Sequence, residues 1–264
     1  MLKIIVMEEY NLNYQRLKNY LKEHKKLAIA YSGGVDSSVL LKVATDTLGK
    51  ENILPIVCSS DFTIKKVEST AKTIAEDLGV NLHIVCLNVM DDEEIMRNDT
   101  EQCYYCKRKI FSSLISYAND FGFKVLADGT NYSDDDATRP GSKARLELGV
   151  ISPLKDCMVT KEDVREMAKD MMLSNAYTPS NSCLATRVMP GIIITEEILG
   201  KIHRAESELS EIYDFIRLRV KYFEDKILLE AASSDTDFVM GNAENILEIL
   251  REIFTEFEIG FSFV

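Results

Sequence analysis

The sequence predicts an α/β protein: a parallel sheet with helices on both faces, followed by a small α+β C-terminal domain. Three observations carry that prediction. Short, almost continuous apolar runs alternate with stretches of helical period, as expected of strands buried on both faces. The first run is broken by Ser32-Gly33-Gly34 before a helical stretch begins, which makes a strand–turn–helix unit. Near residue 180 the alternation gives way to a loop, a helix, a hairpin, a second helix and a last strand. The expected domains are 1–179 and 180–264.

The elements follow in order. Asn13 to Lys25 places Tyr14, Leu17 and Leu21 at helical spacing. Lys26 to Tyr31 is the first strand, and Val35 to Leu48 the helix after the glycine break. Ile53 to Cys58 is the second strand, and Thr63 to Leu78 a helix stopped by Gly79, the residue best suited to a left-handed position past a helix end. Asn81 to Leu87 is the third strand, and Asp91 to Glu94 the acidic first turn of a helix. Cys103 to Phe121 is helical, Lys124 to Ala127 a fourth strand and Ile151 to Leu154 a fifth. Tyr177 to Gly191 is a loop and Thr195 to Ile212 a helix. Phe215 to Phe223 and Lys226 to Ala231 form a hairpin about Glu224-Asp225, before a helix over Asn242 to Phe257 and a strand over Ile259 to Val264. Open parallel sheets bind ligands beyond the carboxyl ends of their strands. The site is therefore expected on the loops after Tyr31, Cys58, Leu87 and Ala127.

Composition narrows the function. With 46% hydrophobic and 28% charged residues the chain is neither disordered nor a fibrous repeat. No apolar run reaches the ~18–20 residues of a membrane span, and Met1 to Val6 lacks the basic start of a signal peptide, so a cytoplasmic protein without membrane partners is expected. A net charge of −12 argues against broad binding to nucleic acid, whose affinity comes largely from neutralised phosphates. From residue 180 onward 8 basic residues face 16 acidic ones, a poor platform for RNA. The six cysteines are too few for a secreted disulfide scaffold.

Ser32-Gly33-Gly34-Val35-Asp36-Ser37-Ser38 is the strongest motif. Glycines let the backbone approach an anion, free N–H groups and the helix dipole attract it, and the serines add hydroxyl donors. Asp36 would repel a bare phosphate, so it holds a metal ion or caps the helix. The loop lacks the Gly-Lys-Ser/Thr ending of a Walker loop. Asp128-Gly129-Thr130-Asn131 follows the fourth strand at the same sheet edge, and Asp134, Asp135 and Asp136 are equally a solvated acidic loop or Mg²⁺ contacts. Cys103-Tyr-Tyr-Cys106 puts two sulfurs on one helical face. It reads as a dithiol redox pair, as two buried cysteines, or as two cluster ligands that need a third from elsewhere. Cys58, Cys86 and Cys157 read as core residues. Arg217 and Arg219, two apart on a strand, share a face that is either solvated or anion-binding.

The Ser32 to Ser37 pattern resembles the PP-loop of the ATP pyrophosphatases, with their adenine nucleotide alpha hydrolase-like fold, which cleave ATP between the α and β phosphates and form adenylated intermediates. Within that group the chain resembles the LarE family over nearly its full length. The matching segments are Asp128-Gly-Thr-Asn131, Asp134-Asp135, Arg139-Pro140-Gly141, Ser152-Pro153-Leu154, Cys183-Leu-Ala-Thr-Arg187, Ala205-Glu206 and Arg217-Leu-Arg219. The resemblance implies an ATP-dependent sulfurtransferase that converts a carboxylate of pyridinium-3,5-biscarboxylic acid mononucleotide to a thiocarboxylate, in biosynthesis of the nickel-pincer cofactor. It implies ATP on Ser32, Gly33, Gly34, Asp36, Ser37, Ser38, Gly129, Thr130 and Asn131, with Mg²⁺ on Asp36. Cys183, Arg187 and Glu206 are implied as catalytic, and Arg187, Arg217 and Arg219 as substrate-binding. Cys103, Cys106 and Cys183 match the family type whose three cysteines hold a [4Fe-4S] cluster, fed by sulfide or another sulfur donor. Another type sacrifices a single cysteine and leaves dehydroalanine. Related PP-loop enzymes thiolate tRNA, and the family assembles as homo-oligomers. Two departures stand out: Thr186 for the family's Ser, and Leu228 where the family often has Arg, a contact that Lys221 or Lys226 would have to replace.

Overall fold

The computed structural model describes residues 2–136, 139–179 and 182–264. The chain divides into two compact units, one of Met1–Val89 and Cys103–Ser180, the other of Met90–Gln102 and Asn181–Val264.

In the first unit the order is α1 (Leu2–Lys22), β1 (Leu27–Ala30), α2 (Val35–Leu48), β2 (Ile53–Ser60), α3 (Lys65–Asp77) and β3 (His83–Leu87). The chain leaves through α4 (Glu93–Met96), which belongs to the second unit, and returns with α5 (Gln102–Asp120) and β4 (Leu126–Ala127). Then come α6 (Pro140–Glu147), α7 (Pro153–Asp156) and α8 (Lys161–Asp170). The four strands are all parallel, in the order β3-β2-β1-β4. Alternation places Leu27 and Ile29 of β1 and Ile53 and Val57 of β2 in a core with α1, α2 and α8. Ala28, Leu54 and Ile56 point the other way, into a core with Phe111, Leu114 and Ala118 of α5. Helices on both faces explain why the strands read as unbroken apolar runs.

Two elements differ from expectation. α1 begins well before Asn13, so the apolar start of the chain is helical. The fifth strand over Ile151 to Leu154 is reduced to one bridge between Ala127 and Ile151. Pro153 has no N–H to give a ladder and instead opens α7 at a position where none is needed.

The second unit continues with α9 (Glu196–Ile212), β5 (Leu218–Tyr222), β6 (Lys226–Ala231), α10 (Thr236–Gly241), α11 (Ala243–Ile253) and β7 (Glu258–Phe263). β5 and β6 form the expected antiparallel hairpin, and β7 adds to β6 in parallel. Val220, Ile227, Leu229 and Ala231 are fully buried on one face of this sheet; α9 lies against β5, and α11 against α9 and β7. Arg219 and Lys221 flank Val220 on β5 and so lie on the opposite face. The 90–102 segment is tied in by Asn98. Its side-chain amide donates to the carbonyls of Met189 at 2.8 Å and Ile192 at 3.1 Å, and its backbone takes the left-handed form (φ 52°) that asparagine tolerates. No helix among the described residues is long and apolar enough to cross a membrane.

Candidate active site

The parallel order makes β1 the branch point: the chain runs outward to β2 and β3, then crosses back to β4 on the other side. The strand order therefore reverses between β1 and β4, where open sheets leave a crevice for ligands. Both motifs singled out in the sequence sit there. Ser32 to Ser38 follows β1, and Asp128 to Asn131 follows β4.

Gly33 has φ 74°, a backbone position that penalises any side chain, and Gly34 is the residue before α2. The serines brace the turn. The Ser37 hydroxyl donates to the Gly34 carbonyl at 3.0 Å and lies 3.1 Å from the Ser32 hydroxyl. Behind the loop, fully buried Ser38 meets the Tyr31 hydroxyl at 3.1 Å. Burial pushes the Tyr31 phenol up to about 12. The Asn175 amide, itself buried, donates to the Gly33 carbonyl and to the Ser38 hydroxyl, each at 2.9 Å. The second loop closes onto the first at Gly129, where a Cβ would stand 2.8 Å from the Ser37 nitrogen and 2.9 Å from its Cα. Only glycine lets the two backbones come this close.

Asp36 sits in the first turn of α2 and links the two loops. The Asn131 amide donates to one carboxylate oxygen at 2.9 Å, and the Lys161 ammonium to the other at 2.5 Å. It therefore neither caps its helix nor points a free charge at an incoming phosphate. Thr130 is held by Asp128, to which its hydroxyl donates at 2.7 Å. Asp128 also receives the buried Ser152 hydroxyl at 2.6 Å, and Ser152 receives the buried Arg145 at 3.0 Å.

Of the three aspartates that follow, Asp134 accepts the Asn131 amide N–H at 3.0 Å and pairs with Arg139 at 2.8 Å. Asp136 pairs with Arg145 and Lys155, both at 3.0 Å. Burial raises the Asp136 carboxyl, but hydrogen bonds from Lys155 and Ser142 and the charge of Arg145 outweigh it and hold it below the usual carboxylate range. These two are engaged in a charge network rather than free for a metal ion. The sequence assigns no role to Lys161, Asn175 or Arg145, and marks Ser152 only as part of a matching segment. Lys161 and Asn175 act through partners 125 and 142 residues away, and only the Thr160-x-x-Asp163 capping box ahead of α8 gives a local signal for where Lys161 stands.

Cys183 is exposed and immediately precedes a 3-10 turn, Leu184–Arg187, in the second unit. Arg187 holds that turn from inside. Its side chain is only 1% exposed; Nε and a terminal nitrogen donate to the two Glu206 oxygens at 2.9 and 3.3 Å. The other terminal nitrogen donates to the Ser182 carbonyl at 2.7 Å. Glu206 also accepts the Val220 N–H of β5 at 2.9 Å. Thr186 keeps a working hydroxyl, donating to the Cys183 carbonyl at 2.8 Å. Arg187 and Glu206 thus tie the cysteine-bearing turn to β5, and Arg187 is a positioning residue in this geometry. Arg217 and Arg219 share Glu230, at 2.8 and 3.4 Å.

The six cysteines sort by exposure. Cys103 is exposed and Cys106 half-buried on the first turns of α5, in the first unit. Burial pushes the Cys58 and Cys157 thiols up to about 11 each, with the Lys107 charge opposing it at Cys58. Cys86, expected in the core, is exposed, because β3 is an edge strand. Within either unit, no three described His, Cys, Asp or Glu side chains are grouped as ligands of a metal ion.

The sequence model of the NAD synthase family matches residues 9–130, the span of the sheet and both loops. A glutamine-dependent NAD(+) synthetase of Thermotoga maritima is 37% identical over 71 residues, 26% of this chain and 12% of that one. An uncharacterised protein of Methanocaldococcus jannaschii is 32% identical over 243 residues, 90% of each chain. The pyridinium-3,5-bisthiocarboxylic acid mononucleotide synthase of Lactiplantibacillus plantarum is 30% identical over 223 residues, 84% of this chain and 80% of that one. On that identity and coverage the chain belongs to the LarE family of ATP-dependent PP-loop sulfurtransferases.

Proposed function

We propose that the protein adenylates a carboxylate of pyridinium-3,5-biscarboxylic acid mononucleotide and converts it to a thiocarboxylate, with sulfur delivered from a [4Fe-4S] cluster on Cys103, Cys106 and Cys183. One observation carries the adenylating half: two backbone loops in contact at Gly129, at the sheet's switch point, with the start of α2 between them. A nucleotide phosphate is the ligand that such a helix start accepts. The hard oxygens of Asp36 suit Mg²⁺, which screens phosphate charge when bound.

A carboxylate oxygen attacks the α-phosphorus of ATP, and pyrophosphate leaves with the electron pair of the broken P–O bond. A sulfur nucleophile then adds to the acyl carbon, and AMP leaves. Ser32 and Ser37 orient the phosphates while buried Ser38 braces the loop from behind, and Asn131 and Lys161 steer Asp36. Arg187 and Glu206 fix the Cys183 turn, while Arg217 and Arg219 receive the substrate's anionic groups.

The cluster reading is supported by donor chemistry. Two accessible thiols lie one helical turn apart, and a third is exposed on a turn, whereas Cys58 and Cys157 are held as thiols by burial. Soft thiolates are what iron–sulfur clusters take. Cys103, Cys106 and Cys183 would hold the cluster, which would supply the sulfide for the acyl carbon. Iron and sulfide analysis after anaerobic purification tests this. Cys→Ala at 103, 106 or 183 is expected to remove the iron; retention in all three refutes the cluster. The exposure of Cys183 favours a second reading, in which its own sulfur is given up. Intact mass after turnover separates the two, since loss of H₂S from Cys183 marks the sacrificial route. A tRNA substrate is disfavoured by the acidic second unit. We further read the enzyme as a cytoplasmic homo-oligomer, checked by light scattering and fractionation.

A further inference from the structure

We propose that Lys221 is the third cation of the anion-holding face on β5, and that it gives this face its preference for a dianionic phosphate monoester over a carboxylate. The inference rests on the substrate reading above.

Arg219 and Lys221 are alternate residues of β5 on the face opposite the buried apolar one, and Arg217, just ahead of the strand, reaches the same Glu230 as Arg219. Across the hairpin, Glu230 pairs in register with Arg219, and Leu228 with Lys221. Glu230 is shared by both arginines, at 2.8 and 3.4 Å. Lys221 has no such carboxylate in hand. Its ammonium donates to a neutral acceptor, the Thr186 carbonyl, at 2.9 Å. Arg187 brings no free charge to the face, since Glu206 matches it at 2.9 Å.

The result is three half-buried cations, two on β5 and one just ahead of it, around one carboxylate. Burial, followed by the neighbouring guanidinium groups of Arg217 and Arg187, lowers the Arg219 pKa. Burial also lowers that of Lys221, where Glu230 opposes it and Arg219, Arg187 and Arg217 add to it. Like charges gathered at such a cost are relieved by an anion, and the excess over Glu230 is two charges. A carboxylate supplies one. A phosphate monoester supplies close to two at neutral pH.

Lys226 does not compete for the role. It stacks on Phe223, 4.9 Å from the ring centroid, at the turn end of the hairpin, and pairs in register with acidic Glu258. Lys221 has a second consequence. Its ammonium holds the turn that carries Cys183, so an anion drawn to Lys221 lies on a group that also positions the thiol.

The test is calorimetric binding to the intact protein with three probes: nicotinic acid mononucleotide, the nucleoside that lacks its phosphate, and inorganic phosphate. Lys221→Met is expected to weaken the mononucleotide and inorganic phosphate about tenfold or more, and to leave the nucleoside unchanged. Lys226→Met is expected to change none of them. The decisive variant is Lys221→Met with Leu228→Arg, which moves a cation to the register partner on the same face. It is expected to restore phosphate affinity to within about threefold of the wild type. The proposal is overturned if Lys221→Met binds all probes normally, or if it weakens mononucleotide and nucleoside alike without rescue, since a lysine that only props the turn would do that. It is also overturned if the wild type binds no probe. Lys221-dependent binding of inorganic phosphate without binding of the mononucleotide would refute the substrate reading and leave the role of Lys221 standing.

Discussion

Gly129→Ala puts a number on how tightly the two loops are built. A Cβ at 129 would lie 2.8 Å from the Ser37 nitrogen, 2.9 Å from its Cα and 3.1 Å from its Cβ. Ordinary contact starts at 3.4 Å, so one loop must retreat by about 0.6 Å. The atoms in the way are backbone at the start of α2, and Ser37 is buried and hydrogen-bonded to Gly34, so no side chain can swing aside. Overpacking of this kind costs about 1–3 kcal/mol. In a chain of this size that is a fall in Tm of about 2–4 °C for each kcal/mol. The effect on chemistry is larger, because the displaced group is a backbone amide of the loop proposed to hold the nucleotide. A misplacement of ~1 Å can cost ~10²-fold in rate, so a loss of about tenfold or more in ATP-dependent pyrophosphate release is expected. Gly34→Ala is the control: its φ is −72°, and its Cβ would meet only the Ser32 hydroxyl at 3.4 Å, so it should fold with wild-type Tm. Wild-type Tm and pyrophosphate release in Gly129→Ala, or equal destabilisation in both variants, would refute the reasoning.

Other perturbations probe other parts of the site. Arg187→Met leaves the largely buried Glu206 with only the Val220 N–H and is expected to cost about 3 kcal/mol in urea unfolding; a cost under 1 kcal/mol would mean the pair is not the brace described. Lys161→Met frees Asp36 and should tighten Mg²⁺ binding to the nucleotide-free protein by about three- to tenfold in titration calorimetry, whereas unchanged affinity would show the ion pair to be idle. In iron-free protein at pH 8, iodoacetamide should label Cys86, Cys103 and Cys183 and spare Cys58 and Cys157, as read by peptide mass. The last two titrate from 9.0 up to about 11 on folding, so the folded state retains protons that the unfolded chain releases. Their contribution to stability is whole below about pH 9 and declines toward pH 11, and Cys58→Ala should flatten part of that decline.

Much of this was legible in the chain because the signals were local. Apolar runs bounded by glycine marked β1 and β2, since strands covered on both faces cannot carry polar residues. Thr195 capped α9, and Asp92 capped α4, as their side chains suggest. The phosphate loop was legible because its function demands small residues in fixed order. What stayed hidden was long-range. Lys161 reaches Asp36 across 125 residues, and Asn175 reaches the Gly33 carbonyl across 142. No periodicity marks such a partner. Arg187 was hidden in another way: an arginine close to an exposed cysteine suggests a ligand contact, and only its burial reveals a brace. Cys86 misled because an apolar run does not say whether its strand lies at a sheet edge.

The clamp made by Asn98 bears on how the chain is made. Asn98 donates to carbonyls at Val188 and Met189, 90 and 91 residues downstream, so it leaves the ribosome long before its acceptors exist. The first unit is interrupted at the same point, between Val89 and Cys103. The first unit has all its residues once the chain reaches 180, but the second must wait: residues 90–102 lack their downstream partners until the Cys183 turn and the loop after it have been synthesised. A fragment ending at residue 180 would carry residues 90–102 without their partners, and the Cys183 turn is assembled only after every residue of the phosphate loop's unit has been made.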